Sequence, residues 1–192
     1  GEKVSIGLLE TEGTGLSLYK YNGLNQLVSA EENGKTSTYT YDGAGLRQSK
    51  TVDGVTTNHI WDGADIVAES GVSDVTKKYY RGVNGIMYRI LDGKFKLYLK
   101  DGHGNVTGLA NITGGILSKT YTYDAFGVEM GKDASDTNPF RYCGEYYDNE
   151  LDKIYLRARY YTPVQGRFMT EDPIRDGLNW YVYANNNPVN AI

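Results

Sequence analysis

The sequence is almost without cysteine. Cys143 stands alone, so no internal disulfide can form, and one thiol cannot build a structural zinc site. Proline is scarce too: all 4 lie beyond Gly131. Positive charge is not in excess. The 20 Lys+Arg face 24 Asp+Glu, a net charge of −4, which leaves no electrostatic footprint for nucleic acid or an anionic membrane. No apolar run approaches the roughly 18 residues that a membrane helix needs. The opening Gly1-Glu2-Lys3-Val4-Ser5 is polar, unlike a targeting segment, and with no initiating Met it reads as a piece of a longer protein. What is plentiful is tyrosine and glycine. Tyr supplies 18 residues beside 4 Phe and 2 Trp, and Gly supplies 24 of the 192. Tyr favours strands, where its body packs and its hydroxyl reaches a partner, and Gly supplies positive-φ turn positions. The composition predicts a hairpin-rich, all-β chain.

A repeat organises it. Tyr19-Lys20-Tyr21-Asn22-Gly23, Tyr39-Thr40-Tyr41-Asp42-Gly43 and His59-Ile60-Trp61-Asp62-Gly63 follow one another at a spacing of 20 residues. Weaker copies lie at Tyr79-Tyr80-Arg81-Gly82 and Tyr98-Leu99-Lys100-Asp101-Gly102-His103-Gly104, and a strong one at Tyr121-Thr122-Tyr123-Asp124-Ala125-Phe126-Gly127. Tyr-x-Tyr places two aromatics on one strand face. The Asp or Asn that follows can bond its own backbone two residues on, and Gly takes the left-handed turn position. Between copies stand Asn33-Gly34, Asp53-Gly54 and Asp92-Gly93, all signals for two-residue hairpins. Each unit reads as strand, turn, strand, turn, and needs its neighbours to bury its apolar face.

These units divide the chain into an N-terminal edge segment (1–18), a repeat region (19–130), a linker or loop (131–139) and a distinct C-terminal segment (140–192). In the last, 153–161 fits either a strand with Ile154, Leu156, Ala158 and Tyr160 on one face or a helix with Leu151, Ile154, Tyr155 and Ala158 together. Asn179-Trp180-Tyr181-Val182-Tyr183 reads as a final strand. Arg141, Lys153, Arg157, Arg159 and Arg167 interleave with Glu145, Asp148, Glu150 and Asp152, a pattern expected of a paired, solvated face.

The Tyr-Asp units resemble the YD repeats of the Rhs family. The motifs Arg159-Tyr160-Tyr161-x-Pro163, Gly166-Arg167-Phe168, Asp172-Pro173 and Asn179-x-Tyr181-x-Tyr183, then Asn186-Asn187-Pro188, resemble the Rhs repeat-associated core that follows such repeats. The resemblance implies an antiparallel β-strip, part of a secreted or bacterial cell-surface protein, that spirals into a hollow shell. In many members the core is an aspartyl-type self-cleaving protease that releases a C-terminal effector, often a toxin. The implied partners are that effector and neighbouring repeats. Arg167 and Asp172 match the Arg-x-x-x-x-Asp-Pro signature linked to self-cleavage, and Asp176 is the candidate second carboxylate. Thr162 stands where many relatives have Asp, Arg175-Asp176 replaces a more usual Gly-containing stretch, and Ile192 precedes the point where relatives carry the scissile motif.

Carboxylate-driven peptide hydrolysis needs one carboxylate as base on water and a second held protonated, with an Arg to steady developing charge. The alternative role for Asp172-Pro173 is a turn pinned by Arg167 through Asp172 or Glu171. Neither His59 nor His103 has the company a metal site needs, no cofactor is implied, and Asp101-Gly102-His103-Gly104-Asn105 lacks calcium-loop spacing. Exposed Tyr stacking on carbohydrate, as in a surface binding module, is the competing function. Open strand edges predict self-association.

Overall fold

A computed structural model describes residues 3–7, 17–32, 34–174 and 178–190. Among them there is no α-helix; strands and short 3₁₀ turns make up the regular structure. The chain forms two compact units, Gly1–Thr76 and Lys77–Ile192.

The first unit is a run of antiparallel strands, each paired with the next: β1 (Lys3–Gly7), β2 (Ser17–Tyr21), β3 (Leu27–Glu32), β4 (Lys35–Tyr41), β5 (Arg47–Val52), β6 (Val55–Asp62) and β7 (Asp65–Ser70). The first aromatic of each repeat points inward: Tyr19, Tyr39 and His59 are buried. Arg47, fully buried, lies 5.4 Å from the Tyr39 ring. The opposite face is a hydroxyl and amide ladder, with Thr40 and Ser49 oxygens 2.6 Å apart and Thr51 and Thr56 oxygens 2.8 Å apart.

The second unit takes in most of β8 (Val75–Gly82), then β9 (Gly85–Leu91), β10 (Lys94–Lys100), β11 (Val106–Asn111) and β12 (Leu117–Thr120), again paired in sequence order. Its C-terminal part is a second antiparallel sheet of β13 (Tyr146–Asp148), β14 (Lys153–Leu156), β15 (Arg159–Thr162) and β16 (Arg167–Phe168). Tyr79, Tyr98 and Tyr121 are buried as their counterparts are in the first unit.

The repeat turns form as the side chains dictate. In the turns at Asn22, Asp42, Asp101 and Asp124, Oδ1 accepts the amides two and four residues on at 2.9–3.0 Å. The glycine three residues after each Asp is left-handed: Gly45 (φ 85°), Gly104 (φ 87°) and Gly127 (φ 88°), with Asn25 (φ 64°) in the first copy. The copies at Asp62 and Gly82 depart from this. There the strands close on two-residue turns, pairing Asp62 with Asp65 and Gly82 with Gly85: the first copy lacks the Gly three residues on, and the second lacks the side-chain oxygen that would receive the amides. Asp53-Gly54 and Asp92-Gly93 adopt positive φ at both residues, the geometry of a type I′ hairpin. Asn33 lies outside the described residues, while Gly34 (φ 72°) lies in the turn closed by the Glu32–Lys35 pair.

Two regularities bind repeat to repeat. The register slips by one residue just before the second repeat position: between Lys20/Tyr21, Thr40/Tyr41 and Ile60/Trp61 in the first unit, and Tyr80/Arg81 and Leu99/Lys100 in the second. Each slip is a β-bulge that sharpens the local right-handed twist. The second aromatic then reaches back one repeat. Tyr41 Oη donates to the Leu27 carbonyl (2.8 Å), Trp61 Nε1 to the Arg47 carbonyl (2.9 Å) and Tyr123 Oη to the Val106 carbonyl (2.9 Å). In each case the acceptor is the residue paired with the second position of the preceding copy.

Three expectations need correction. The 153–161 stretch is neither one strand nor a helix. It is a hairpin, because Arg157 turns left-handed (φ 59°) while its guanidinium grips Glu145 through two bonds of 3.0 and 2.6 Å. The 179–183 stretch contributes one bridge, Arg167–Val182, and then three successive left-handed residues, Ala184, Asn185 and Asn186, end its extended path. The charged segment is paired but not solvated: Arg141, Asp148, Glu150 and Lys153 are at most 4% exposed. Twelve of the 18 Tyr are likewise buried.

Candidate functional site

The carboxyl-terminal sheet sets the site's frame. Pro163 opens a 3₁₀ turn, Pro163–Gln165, and Gly166 (φ 62°) reverses the chain so that β16 returns along β15, pairing Tyr161 with Phe168. Beyond β16 the chain stays extended. The Phe168 amide bonds the Tyr181 carbonyl and the Asp172 amide bonds the Trp180 carbonyl, both at 2.9 Å.

Arg159, at the start of β15, is the cation at Asp172. Its Nη2 is 3.0 Å from Asp172 Oδ2, its Nη1 donates to the Trp180 carbonyl at 3.3 Å, and its guanidinium lies 3.7 Å from the Phe168 ring. Asp172 Oδ1 accepts the Ile174 amide at 2.9 Å, an Asx turn that carries the chain through Pro173. The sequence reading put Arg167 in this role. Arg167 instead stands exposed with its guanidinium 4.9 Å from the Tyr181 ring, and Tyr181 Oη donates to Glu171 Oε1 at 3.4 Å. Asp176 lies outside the described residues. Arg159 was already visible as the first residue of the Arg-Tyr-Tyr motif, although nothing in that motif marked it as a carboxylate partner.

The site rests on the last two repeat turns. Tyr142 Oη donates to the Ala125 carbonyl (2.9 Å) and Tyr161 Oη to the Phe126 carbonyl (2.7 Å), so two tyrosines grip the Asp124 turn. The Cys143 amide donates to Asn105 Oδ1 (2.9 Å) in the turn before it. Between them Cys143 adopts φ 51°. Burial pushes its thiol up to about 11, which leaves it roughly a hundredfold less ionised near neutral pH than an ordinary cysteine. Beneath lies Arg141, 1% exposed, paired with Glu129 Oε2 (2.5 Å) and Asp136 Oδ2 (3.7 Å) and flanked by the Tyr147 and Tyr121 rings at 4.7 and 5.8 Å. Among the described residues no group of three His, Cys, Asp or Glu could hold a metal ion, and no helix is long and apolar enough to cross a membrane.

A strip of hairpins closed by Asx turns, tied one repeat to the next and gripped by a small tyrosine-rich sheet, defines a β-hairpin repeat protein. Comparison with known proteins gives the particular kind. The RHS Repeat family matches residues 21–57. The tRNA3(Ser)-specific nuclease WapA of Bacillus spizizenii is 41% identical over 125 residues, 60% of this chain but 5% of WapA. The toxin protein Tse5 of Pseudomonas aeruginosa is 44% identical over 55 residues, 28% of this chain and 4% of Tse5. Among solved structures, the Photorhabdus luminescens Tc holotoxin pore carrying a TccC3 variant superposes with a TM-score of 0.71 at 20% identity, over 92% of this chain and 10% of that one. A TcdB2–TccC3 complex gives 0.69 at 18% identity, again over 92% and 10%. The chain therefore spans a small fraction of each relative. The chain carries a match to the RHS Repeat at residues 21–57 and is similar to Rhs-type, YD-repeat proteins.

Proposed function

We propose that this chain is a section of the wall of a hollow shell, ending in the segment that closes it, and that the longer protein encloses a C-terminal effector and releases it by self-cleavage. The observation that supports this best is the repeat-to-repeat tie. Tyr41, Trp61 and Tyr123 each bond the carbonyl opposite the second position of the preceding copy, so these repeats are tied to the ones before them, as in a strip built to continue. The toxin names of the relatives support the effector, and secretion or surface display follows from such a role.

In this reading Asp172 is the carboxylate that acts in self-cleavage, Arg159 positions it, and Arg167 and Asp176 complete the group. The test is the intact mass of the longer chain, expressed through the region after residue 192. A wild-type cut that disappears in Asp172→Asn and Arg167→Ala is the expected result. An uncut wild type would make Asp172 a turn residue only.

Carbohydrate binding has less support. Tyr80 and Tyr88 are stacked on each other, with centroids 4.4 Å apart and planes 11° from parallel, so they cover each other's faces rather than offering them to a sugar. Self-association through strand edges belongs to the same proposal, since a wall section cut from its neighbours exposes ladder groups. Light scattering over a concentration series should show mass rising with concentration; a constant monomer mass would refute it.

A further inference from the structure

We propose that Asn84 and Lys100 form a covalent cross-link, an amide between the Lys100 side chain and the Asn84 main-chain carbonyl carbon, made through a succinimide at Asn84-Gly85. The geometry is that of a nucleophile already seated on its electrophile. Asn84 lies exposed in the two-residue turn between β8 and β9, and Lys100 is the last residue of β10. Lys100 Nζ donates to the Asn84 carbonyl oxygen, and it sits 3.5 Å from where a Cβ on Gly85 would be. Gly85 (φ 83°) puts no side chain between them.

The chemistry needs no other reagent. The Gly85 amide nitrogen attacks the Asn84 side-chain carbonyl carbon and expels ammonia, closing a five-membered imide that includes the Asn84 main-chain carbonyl. In water such a ring opens by hydrolysis. Here the nearest nucleophile is Lys100, whose amine attacks that main-chain carbonyl carbon and breaks its bond to Gly85 nitrogen. The broken bond takes up the proton that the amine gives up. The backbone then runs through the former side-chain carbonyl, Lys100 holds the other, and the whole change is the loss of one ammonia. The amine must be neutral to attack, and burial together with the nearby Arg81 lowers the Lys100 pKa from its ordinary value.

The environment also distinguishes this site from the turn at Asn22-Gly23. At Asn22-Gly23 the carboxamide is already held, its Oδ1 accepting the Leu24 and Gln26 amides and its Nδ2 donating to Gln26 Oε1 at 2.7 Å. No lysine is bonded to that turn among the described residues.

The experiment is incubation of the folded full chain in mildly alkaline buffer at body temperature, followed by proteolysis and peptide-resolved mass spectrometry. The expected product is a branched peptide joining the Asn84 and Lys100 segments, lighter by one ammonia than the sum of the two unmodified peptides. Lys100→Arg should divert the imide to hydrolysis, giving Asp or isoAsp at 84 with no branch, and Asn84→Gln should leave the segment unchanged. Either hydrolysis alone in the wild type, or an unmodified Asn84 after Asn-Gly control peptides have reacted, would overturn the proposal.

Discussion

Replacing Arg141 with Met should lower the unfolding free energy of the second unit by about 3–5 kcal/mol, the cost of stranding buried charge. Arg141 is 1% exposed, and its two carboxylate partners, Glu129 and Asp136, have side chains only 5% and 9% exposed. Removing the cation leaves both acids buried without it. Asp136 also accepts the Tyr121 hydroxyl at 2.7 Å, so the damage reaches the last repeat strand. Arg141→Lys should recover only part of the loss. A lysine cannot lie flat between two rings, nor reproduce the bond from Nε to the Asn138 carbonyl at 3.0 Å together with those to Glu129. Urea unfolding of the single variants and of Arg141→Met with Glu129→Gln gives the check. The double variant should be more stable than the sum of its singles, and strict additivity would show that the pair is not coupled.

Gly127→Ala should be the most damaging alanine substitution at any repeat turn. Its backbone is left-handed at φ 88°, and a Cβ would lie 2.6 Å from two atoms of the Tyr142 ring. That ring cannot yield, because its hydroxyl is bonded to Ala125 and Gly127 lies in the same turn. Strain and overpacking together should cost about 2–4 kcal/mol. Gly131→Ala is the control: φ is 66°, but a Cβ there meets nothing within 4 Å, so only the conformational cost of about 1 kcal/mol applies. Equal midpoints for the two variants would show that the Tyr142 contact carries no energy.

Much of the fold was legible because its turns are written in residues with one evident use. Asp or Asn followed three residues later by Gly marked the Asx turns at 42, 101 and 124, and Asp-Gly marked two hairpins. The bulges left no such mark. Their extra residues, Val28, Gln48, Val67, Met87 and Thr107, share no chemistry, since a bulge is a property of pairing and not of side chains. The hairpin at 157–158 was hidden for a related reason: Arg157 is not a turn former, and its conformation is held by a carboxylate twelve residues away at 145. At the site, Asp172 stood out but its partner did not. Which arginine reaches it depends on the β15–β16 register, and that register depends on how Gly166 nests against Phe126, 3.0 Å from where its Cβ would be.

Asn22 serves in its turn as Asp42, Asp101 and Asp124 serve in theirs. In these four copies the work falls to a single oxygen that receives two amides, and the asparagine does this with no net charge. The turn therefore reads geometry, not ionisation. A repeat array built on such joints can drift in charge from one hairpin to the next, exchanging acid for amide as its surroundings demand, while the spacing of its strands stays the same.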